Sequence, residues 1–343
     1  MPFIAGRTLR FWLKASRSQS LGQSLTPYLL GTLLAVSTWA FAPPTEPIDL
    51  NLIAAICGFL GVAFAHSGLN LLDDYFDYTS GAVAERQALA DGGMRARMGK
   101  CAYLTDGLSI KDVAVAGAGF LGVATVFGTL VLIFRGPWTV AFAAAALVLG
   151  YLYSGPPLKL SYHALGEVVI GIIFGPVLLS AAYFVACARV DPVAVWASVP
   201  SGLLTINILN AHAIMDFGPD KAARRTTLVV ALGSQKAGLV VAAILLLASY
   251  AAVIIGVVLG ALTQASLAVL LTLPLAGEFW RLLRAYVYHP EIDHPPKPWY
   301  GPLGNWDTIR NLGIDWFMLR WYLSRNLLMY FVAVLAVASF IRW

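Results

Sequence analysis

The chain has 343 residues, of which 59% are hydrophobic and only 12% are charged, and its mean hydropathy is +0.74. This composition excludes an ordinary soluble globular protein and indicates a polytopic membrane protein in a lipid bilayer. In such a protein we interpret the net charge of +5 as a signal of orientation and expect no nucleic-acid partner. The three cysteines lack metal or CxxC spacing, so they predict neither a disulfide framework nor a zinc site.

Runs of about 17 to 25 apolar residues predict the membrane spans. Nine such runs occur, at about 22–41, 51–72, 113–134, 138–154, 165–188, 193–214, 236–260, 264–283 and 326–342. We expect one all-α membrane domain over residues 1–343, with cytoplasmic loops at about 73–112, 214–235 and 284–325. The first span is expected to stay in the protein rather than to be cleaved as a signal peptide, because it is long and further spans follow.

The distribution of basic residues predicts the orientation of these spans. Of the 23 Lys and Arg side chains, 20 fall in the N-terminal segment and in every second loop, whereas Arg135, Arg189 and Arg342 fall on the other side. Because cytoplasmic loops carry an excess of Lys and Arg, the N-terminus is predicted to be cytoplasmic and the C-terminus outside. The membrane itself is expected to be a bacterial or archaeal cell membrane.

An acidic cluster ends the second span. The stretch "SGLNLLDDYFDYTSG", residues 67–81, places Asp73, Asp74 and Asp77 directly after apolar residues. Ionised carboxylates beside hydrocarbon cost several kcal/mol, so they need a counter-charge or a water-filled cavity.

A second acidic cluster ends the sixth span, on the same predicted side. The stretch "NAHAIMDFGPDKAARRTTLVVALG", residues 210–233, contains Asp216 and Asp220 and continues into Lys221 and Arg225. Two clusters at equal depth can face each other across a central cavity open to the cytoplasmic side. Carboxylates from two helices with nearby bases are suited to Mg²⁺ and a diphosphate. Helix capping or pairing with loop arginines is the alternative.

Both acidic stretches resemble the aspartate-rich motifs of the UbiA superfamily of intramembrane prenyltransferases, whose members have nine transmembrane helices. Two further stretches, "FWLKASRSQSLGQSLTPYLLGTLLA" at 11–35 and "YLYSGPPLKLSYHALGEVVIGIIFGPVL" at 151–178, resemble its 1,4-dihydroxy-2-naphthoate branch in menaquinone synthesis. The chain departs from that branch at "HAIM", residues 212–215, just before the second motif. The acceptor is therefore less well defined than the donor.

The resemblance implies roles for individual residues. Asp74, Asp77, Asp216 and Asp220 would be catalytic, and together with Asp73 they would hold Mg²⁺. An isoprenoid diphosphate and an aromatic acceptor would be bound by Asn70, Lys159, Lys221, Arg225, Arg17, Tyr153 and Tyr162. His212 is either a packed histidine or a contact to the acceptor that removes its proton.

The predicted activity is transfer of a polyprenyl group from an isoprenoid diphosphate to an aromatic acceptor, 1,4-dihydroxy-2-naphthoate or a related quinone precursor. The alternatives are another acceptor, an intramembrane terpene cyclase that uses the same aspartates, and an ion-coupled transporter. The transporter is disfavoured because few ionisable residues lie on the opposite side of the membrane.

Three other stretches have alternative interpretations. "GAGFLG", residues 117–122, matches a dinucleotide fingerprint but lies inside a span, which favours close helix packing. "GGMRARMGK", residues 92–100, is either an orientation signal or a diphosphate contact. The segment 289–322 is expected to form a rigid loop, with a metal site at its first residues as the alternative, and an aromatic tail, 306–322, along the interface or over the cavity.

Overall fold

The structure is a computed structural model that describes residues 2–4, 6–96, 100–101, 103–104 and 108–341. Apart from a short antiparallel pair of strands, β1 (Pro2–Ile4) and β2 (Arg7–Thr8), the described residues form helices joined by loops. The α-helices are α1 (Leu9–Ala15), α2 (Gly22–Ala40), α3 (Leu52–Thr79), α4 (Ala82–Asp91), α5 (Ile110–Arg135), α6 (Trp138–Ser154), α7 (Gly166–Ile172), α8 (Leu178–Cys187), α9 (Pro192–Met215), α10 (Phe217–Ala222), α11 (Leu228–Ala231), α12 (Gln235–Val258), α13 (Leu273–Tyr288), α14 (Trp306–Asn311) and α15 (Asp315–Ala338).

The helices that could cross a membrane lie where the apolar runs predict them. In the described part of the chain, seven helical segments are long and apolar enough: Leu52–Thr79, Ile110–Arg135, Gly166–Cys187, Pro192–Met215, Gln235–Val258, Gln264–Tyr288 and Asp315–Ala338. The helix α6 is apolar but shorter, and α2 lies at the first predicted span. The chain is therefore an integral membrane protein with multiple apolar helices.

Local chemistry explains where several helices begin. The Asn51 side chain accepts a hydrogen bond from Ala54 N at 2.9 Å, which caps the start of α3. Ser109 and Asp112 form a reciprocal capping box at the start of α5. Each cap satisfies amide groups that the first helical turn leaves without a partner.

The fifth predicted span is not one regular helix. Between α7 and α8 the residues Ile173–Val177 form a π-helical turn that contains Pro176. Proline lacks an amide proton and its ring clashes with the preceding turn, so the regular α-helical bonding cannot continue through this point.

The last helix begins eleven residues earlier than the sequence predicts, at Asp315 rather than at 326. The prediction failed because Arg320 and Arg325 interrupt the apolar run. Both arginines are nevertheless buried. Their guanidinium groups are satisfied by carbonyl oxygens, because Arg320 Nε donates to Leu282 O at 2.9 Å and Arg325 Nη2 donates to Pro302 O at 2.8 Å. The aromatic tail predicted along the interface or over the cavity is divided between α14 and the first turns of α15, and the preceding loop ends at 314.

Small residues set the closest helix crossings. A side chain at Gly117 would lie 3.2 Å from Gly68 O, so α5 packs tightly on α3 through the "GAGFLG" segment, which confirms close packing there. On the other side of the bundle, Asn207 Nδ2 donates to Ala242 O and Asn210 Nδ2 donates to Gly238 O, which ties α9 to α12. These contacts leave a cavity between the two motif-bearing helices, α3 and α9.

Candidate active site

The first acidic cluster lies at the end of α3, where Asp73, Asp74 and Asp77 share one region of the helix. Lys100 Nζ lies 2.8 Å from Asp73 Oδ2 and 2.6 Å from Asp77 Oδ2. Arg17 Nη2 lies 2.9 Å from Asp73 Oδ2 and 3.2 Å from Asp74 Oδ1. Two cations from outside the helix therefore offset most of the charge of three carboxylates, two of which are at most 5% exposed.

Arg17 is held in place by the turn that carries it. Its φ of +59° is unusual for a residue other than glycine, so the backbone is strained at this point. Asn70 Nδ2 stabilises the turn by donating to Ser16 O at 2.9 Å and Ser20 Oγ at 3.0 Å. Burial alone would lower the pKa of Arg17, but the carboxylates of Asp74 and Asp73 raise it above its usual value. Asn70 thus positions the cation that faces the cluster.

The second acidic cluster is formed by Asp216, which directly follows α9, and Asp220 in α10. One guanidinium bridges both carboxylates: Arg86 Nη1 lies 2.9 Å from Asp216 Oδ2, and Arg86 Nη2 lies 2.7 Å from Asp220 Oδ1. Burial raises the pKa of Asp220 to about 6, although Arg225 and Arg86 oppose the shift. Asp216 Oδ1 is fully enclosed and receives no hydrogen bond from a described residue.

Two loops join to form a further wall of the site. Ala164 N donates to Thr226 O at 2.6 Å, which ties the loop after α6 to the segment after α10. This brings Arg225 to 5.2 Å and Lys159 to 6.0 Å from the ring centroid of Tyr162. No described carboxylate lies within ion-pair distance of either cation, so both charges remain available.

A cavity of about 1140 Å³ joins these elements. The predicted site residues that line it are Arg17, Asn70, Asp73, Asp77, Tyr153, Lys159, Tyr162, His212, Asp216, Asp220 and Arg225. Below its charged end the wall becomes apolar, with Phe174, Val177 and Leu178 among the lining side chains. The cavity is thus polar at one end and apolar at the other.

Two predicted site residues do not line the cavity. Asp74 is 1% exposed and lies behind the wall, where its Oδ2 accepts a hydrogen bond from Tyr103 OH at 2.9 Å. Lys221 is exposed, with its ammonium 5.9 Å from the ring centroid of Phe217. Asp74 therefore contacts the site through Arg17, whereas the exposed side chain of Lys221 lies outside the cavity lining.

The structure adds residues that sequence reasoning missed. Arg86 and Glu167 line the cavity, but nothing in their local sequence links them to residues more than fifty positions away. Lys100 belongs to the basic stretch 92–100, which the sequence left as either an orientation signal or a diphosphate contact. In the structure its ammonium contacts the first acidic cluster. In the same loop, Arg95 instead stacks 4.4 Å from the ring centroid of Trp316, and Arg97 lies outside the described residues.

The acidic side chains of the site could supply some of the ligands of a hard cation, but not all of them. No group of three or more Asp, Glu, His or Cys side chains that could share a metal ion occurs among the described residues, at the clusters or at 289–294. Mg²⁺ commonly takes one or two carboxylates and completes its shell with water and substrate phosphate. The enclosed, unbonded Oδ1 of Asp216 and the oxygens of Asp73 and Asp77 supply such ligands, so the residues fit Mg²⁺ with a phosphate partner.

The fold and the site together define an integral membrane protein with a cavity whose charged end has both acids and bases. The chain belongs to the UbiA prenyltransferase family, whose sequence pattern matches residues 24–293, and it is a prenyltransferase.

Characterised relatives share about a quarter of its residues. It is 25% identical over 228 residues to 1,4-dihydroxy-2-naphthoate octaprenyltransferase of Bacillus subtilis. The matched region covers 66% of this chain and 68% of the relative. It is 27% identical over 293 residues to 2-carboxy-1,4-naphthoquinone phytyltransferase of Synechocystis, with 84% and 88% covered. Its fold is similar to a UbiA homologue from Archaeoglobus fulgidus solved with GPP and Mg²⁺, with a TM-score of 0.54, 15% identity and 94% and 99% of the two chains covered.

Proposed function

We propose that the protein transfers a polyprenyl group from an isoprenoid diphosphate to an aromatic acceptor of the naphthoate type, with Mg²⁺. The observation that carries the proposal is the cavity, in which carboxylates of α3 and α9–α10 share the charged end with Lys159 and Arg225, which form no ion pair with a described residue, above an apolar wall. A prenyl diphosphate has the same division, with a charged head and an apolar chain. Solved UbiA homologues bound to GPP or DMAPP together with Mg²⁺ support the choice of donor and metal.

The aspartates would hold the metal. Asp73 and Asp77 on one side and Asp216 and Asp220 on the other present oxygen ligands to the same cavity, and Asp74 stays a predicted ligand. Bound Mg²⁺ would neutralise the diphosphate and stabilise the charge that develops on it as a leaving group. Arg86 now occupies the second cluster, so we expect its guanidinium to turn from the carboxylates to phosphate oxygens when the substrate enters.

Basic residues would share the remaining charge of the diphosphate. Arg225 and Lys159 already line the cavity without a carboxylate partner among the described residues. Because fixed cations stabilise developing negative charge best in a site that excludes water, these two side chains would assist ionisation of the allylic C–O bond. Tyr153 and Tyr162 lie on the same wall and would contact the head group.

The apolar end of the cavity would take the prenyl chain. Its wall comes from residues such as Leu121 and Ala143, which lie on α5 and α6, and from Phe174. Excluding water protects an allylic cation from hydrolysis, and an aromatic face can stabilise positive charge. The reaction therefore suits a site between membrane helices.

Supporting observations for the acceptor come from the relatives. The names of the matching proteins from Bacillus subtilis and Synechocystis both specify naphthalene acceptors. His212 lines the cavity near Phe317 and Trp321, where an aromatic ring would fit, so it stays a predicted acceptor contact. Other acceptors, or cyclisation with no acceptor, would use the same donor site.

We further propose nine spans, a single domain and a cavity open to the cytoplasm, with the C-terminus outside. The support is that Arg135 lies at the opposite end of the bundle from the aspartates, beside Asp49, as the charge distribution predicts. Cysteine-accessibility labelling of intact cells would test this orientation.

The test of function is mass spectrometry of products formed by purified protein with Mg²⁺, prenyl diphosphates of several lengths, and 1,4-dihydroxy-2-naphthoate or 4-hydroxybenzoate. We expect a prenylated naphthoate that is lost in Asp74→Asn and Asp216→Asn variants. Diphosphate release with only hydrocarbon or alcohol products would mean that the protein cyclises or hydrolyses the donor and does not prenylate these acceptors. If no donor is consumed, the transferase proposal fails and ion-coupled transport becomes the leading alternative.

A further inference from the structure

Glu167 is a buried acid of the cavity wall that the proposed function does not yet use. It lies in the first turn of α7, is 4% exposed and lines the cavity. Its Oε1 accepts a hydrogen bond from Leu228 N at 3.1 Å. Among the described residues, no Lys, Arg or His lies within ion-pair distance of this carboxylate.

This lack of a counter-charge separates Glu167 from the other buried or half-buried acids that line the cavity. Asp73, Asp77, Asp216 and Asp220 each have a cation within 3 Å. Burying a carboxylate without a paired cation is costly. The contact to Leu228 N requires only a carbonyl oxygen, which glutamine supplies equally well. The structural contact therefore does not explain why an ionisable group stands at 167.

The second oxygen of Glu167 is free to act on a ligand. Oε2 accepts no hydrogen bond from a described residue, and it is not fully enclosed by protein atoms. Around it the wall changes from charged to apolar. The ring of Tyr153 packs against Gly166, and Ile170 and Phe174 continue the cavity lining along the same helical segment. An aromatic acceptor placed between the diphosphate and the apolar wall would lie beside this oxygen.

We propose that Glu167 is the general base that takes the hydroxyl proton of the aromatic acceptor, an inference that rests on the proposed function. As the proton moves to Oε2, the ring carbon of the resulting phenolate bonds to C1 of the prenyl group. The C1–O bond breaks and its electron pair leaves with the diphosphate. The neutral dienone that forms regains its aromatic ring when the ring proton moves to the oxygen, so the one proton lost overall is the one on Glu167.

His212 is the competing candidate for this role. It also lines the cavity, but its ring lies 5.2 Å from that of Phe317 and 6.4 Å from that of Trp321, measured between centroids. A ring packed among aromatic side chains is suited to contacting an acceptor face. A carboxylate with an open oxygen is suited to receiving a proton, which favours Glu167.

The test compares two reactions of one protein: transfer to the acceptor, and hydrolysis of the donor when the acceptor is absent. General-base catalysis contributes about 10²–10⁴-fold, so Glu167→Gln is expected to lower the ratio of transfer to hydrolysis at least about 100-fold. Glu278→Gln is the matched control, because Glu278 is also buried but does not line the cavity, and this ratio should not change. His212→Gln is measured beside them.

A second readout separates a base from a structural support. Acceptors whose hydroxyl ionises more readily, such as fluorinated phenols, should recover transfer in the Glu167→Gln variant, and raising the pH should do the same. Asp220 and Tyr153 lie close enough to Glu167 for its charge to act on them, and Arg225 shares the wall, so the comparison between variant and wild type identifies the group.

The outcomes distinguish this inference from the proposed function. An unchanged ratio in Glu167→Gln, or a selective loss only in His212→Gln, overturns the role of Glu167. Equal loss of transfer and hydrolysis overturns it too, because Glu167 would then only hold the segment around Leu228 in place. If Glu167→Gln does not fold, Glu167→Asp is measured in its place: the shorter carboxylate moves the oxygen away from the acceptor, so the ratio should fall, and an unchanged ratio rejects the base. If wild-type protein makes no aromatic product, the proposed function fails and the inference with it.

Discussion

Replacing Arg86 by glutamine should destabilise the metal-free protein and make its stability depend strongly on Mg²⁺. The guanidinium of Arg86 bridges Asp216 and Asp220, at 2.9 Å and 2.7 Å. Without it, two buried carboxylates face each other with no bridging cation. A divalent cation at the same place would restore the balance of charge, so the variant should gain more from Mg²⁺ than the wild type, in which the metal must displace Arg86.

The size of the effect follows from burial. Removing one partner of a fully buried ion pair costs about 3–5 kcal/mol. The Arg86 side chain is 18% exposed, against 8% for Asp216 and 5% for Asp220. Partial screening by water lowers the expected loss to about 2–3 kcal/mol. At about 2 °C per kcal/mol for a chain of this size, the apparent melting temperature should fall by about 5 °C.

The assay is thermal unfolding in detergent, with EDTA or with saturating Mg²⁺. Saturation at about 100 times the dissociation constant contributes about 2.7 kcal/mol, which would offset most of the loss in the Arg86→Gln variant. The matched control is Arg224→Gln, because Arg224 is exposed and makes no ion pair with a described residue. Equal Mg²⁺ shifts in wild type and Arg86→Gln would refute the reasoning, since Arg86 would then not occupy the position of the metal.

Three other changes test separate parts of the structure. Lys159→Ala should raise KM for the diphosphate donor about 10- to 100-fold through loss of a charge-assisted hydrogen bond, whereas Lys221→Ala should leave KM unchanged because the exposed side chain of Lys221 does not line the cavity. Arg135→Gln should lower stability in thermal unfolding by about 3 kcal/mol, because its buried guanidinium bonds carbonyl oxygens at the end of α8; no change would mean that water replaces it. Gly175→Ala should cost about 1–3 kcal/mol in the same assay, since its new side chain would lie 2.6 Å from the backbone of α9, while Gly277→Ala, with open space, should not destabilise.

The sequence was sufficient to predict features that depend on local composition. Long apolar runs locate the helices, and Asp73 and Asp216 stand out because a carboxylate at the end of such a run is costly without a reason. The start of α15 was missed by the same rule, since Arg320 and Arg325 look incompatible with a buried helix. Carbonyl oxygens of neighbouring segments satisfy them, and hydropathy carries no information about those partners.

Residues that act through distant partners could not be predicted. Arg86 lies 130 positions from Asp216, on the short helix α4, and in the sequence it is one of the basic residues that predict orientation. Glu167 has no other acidic residue near it in the sequence, and only the fold shows that it lines the cavity. Lys221 shows the opposite case. It directly follows Asp220, but its side chain is exposed and does not line the cavity, so its contact to the diphosphate stays a prediction.

The arrangement of charge explains why the acidic motifs stand at helix ends rather than at the middle of the membrane. In the proposed function each motif needs cations that can exchange their carboxylate partners for a diphosphate. Arg17 and Lys100 come from loops, and Arg86 comes from the short helix α4. Loops of this kind cannot enter the hydrocarbon region without exposing unbonded backbone groups. Under the proposed function, the head group would be bound where α3 and α9 end, and the prenyl chain would extend inward along the apolar wall. A donor that is charged at one end and apolar along its length matches this division of the cavity.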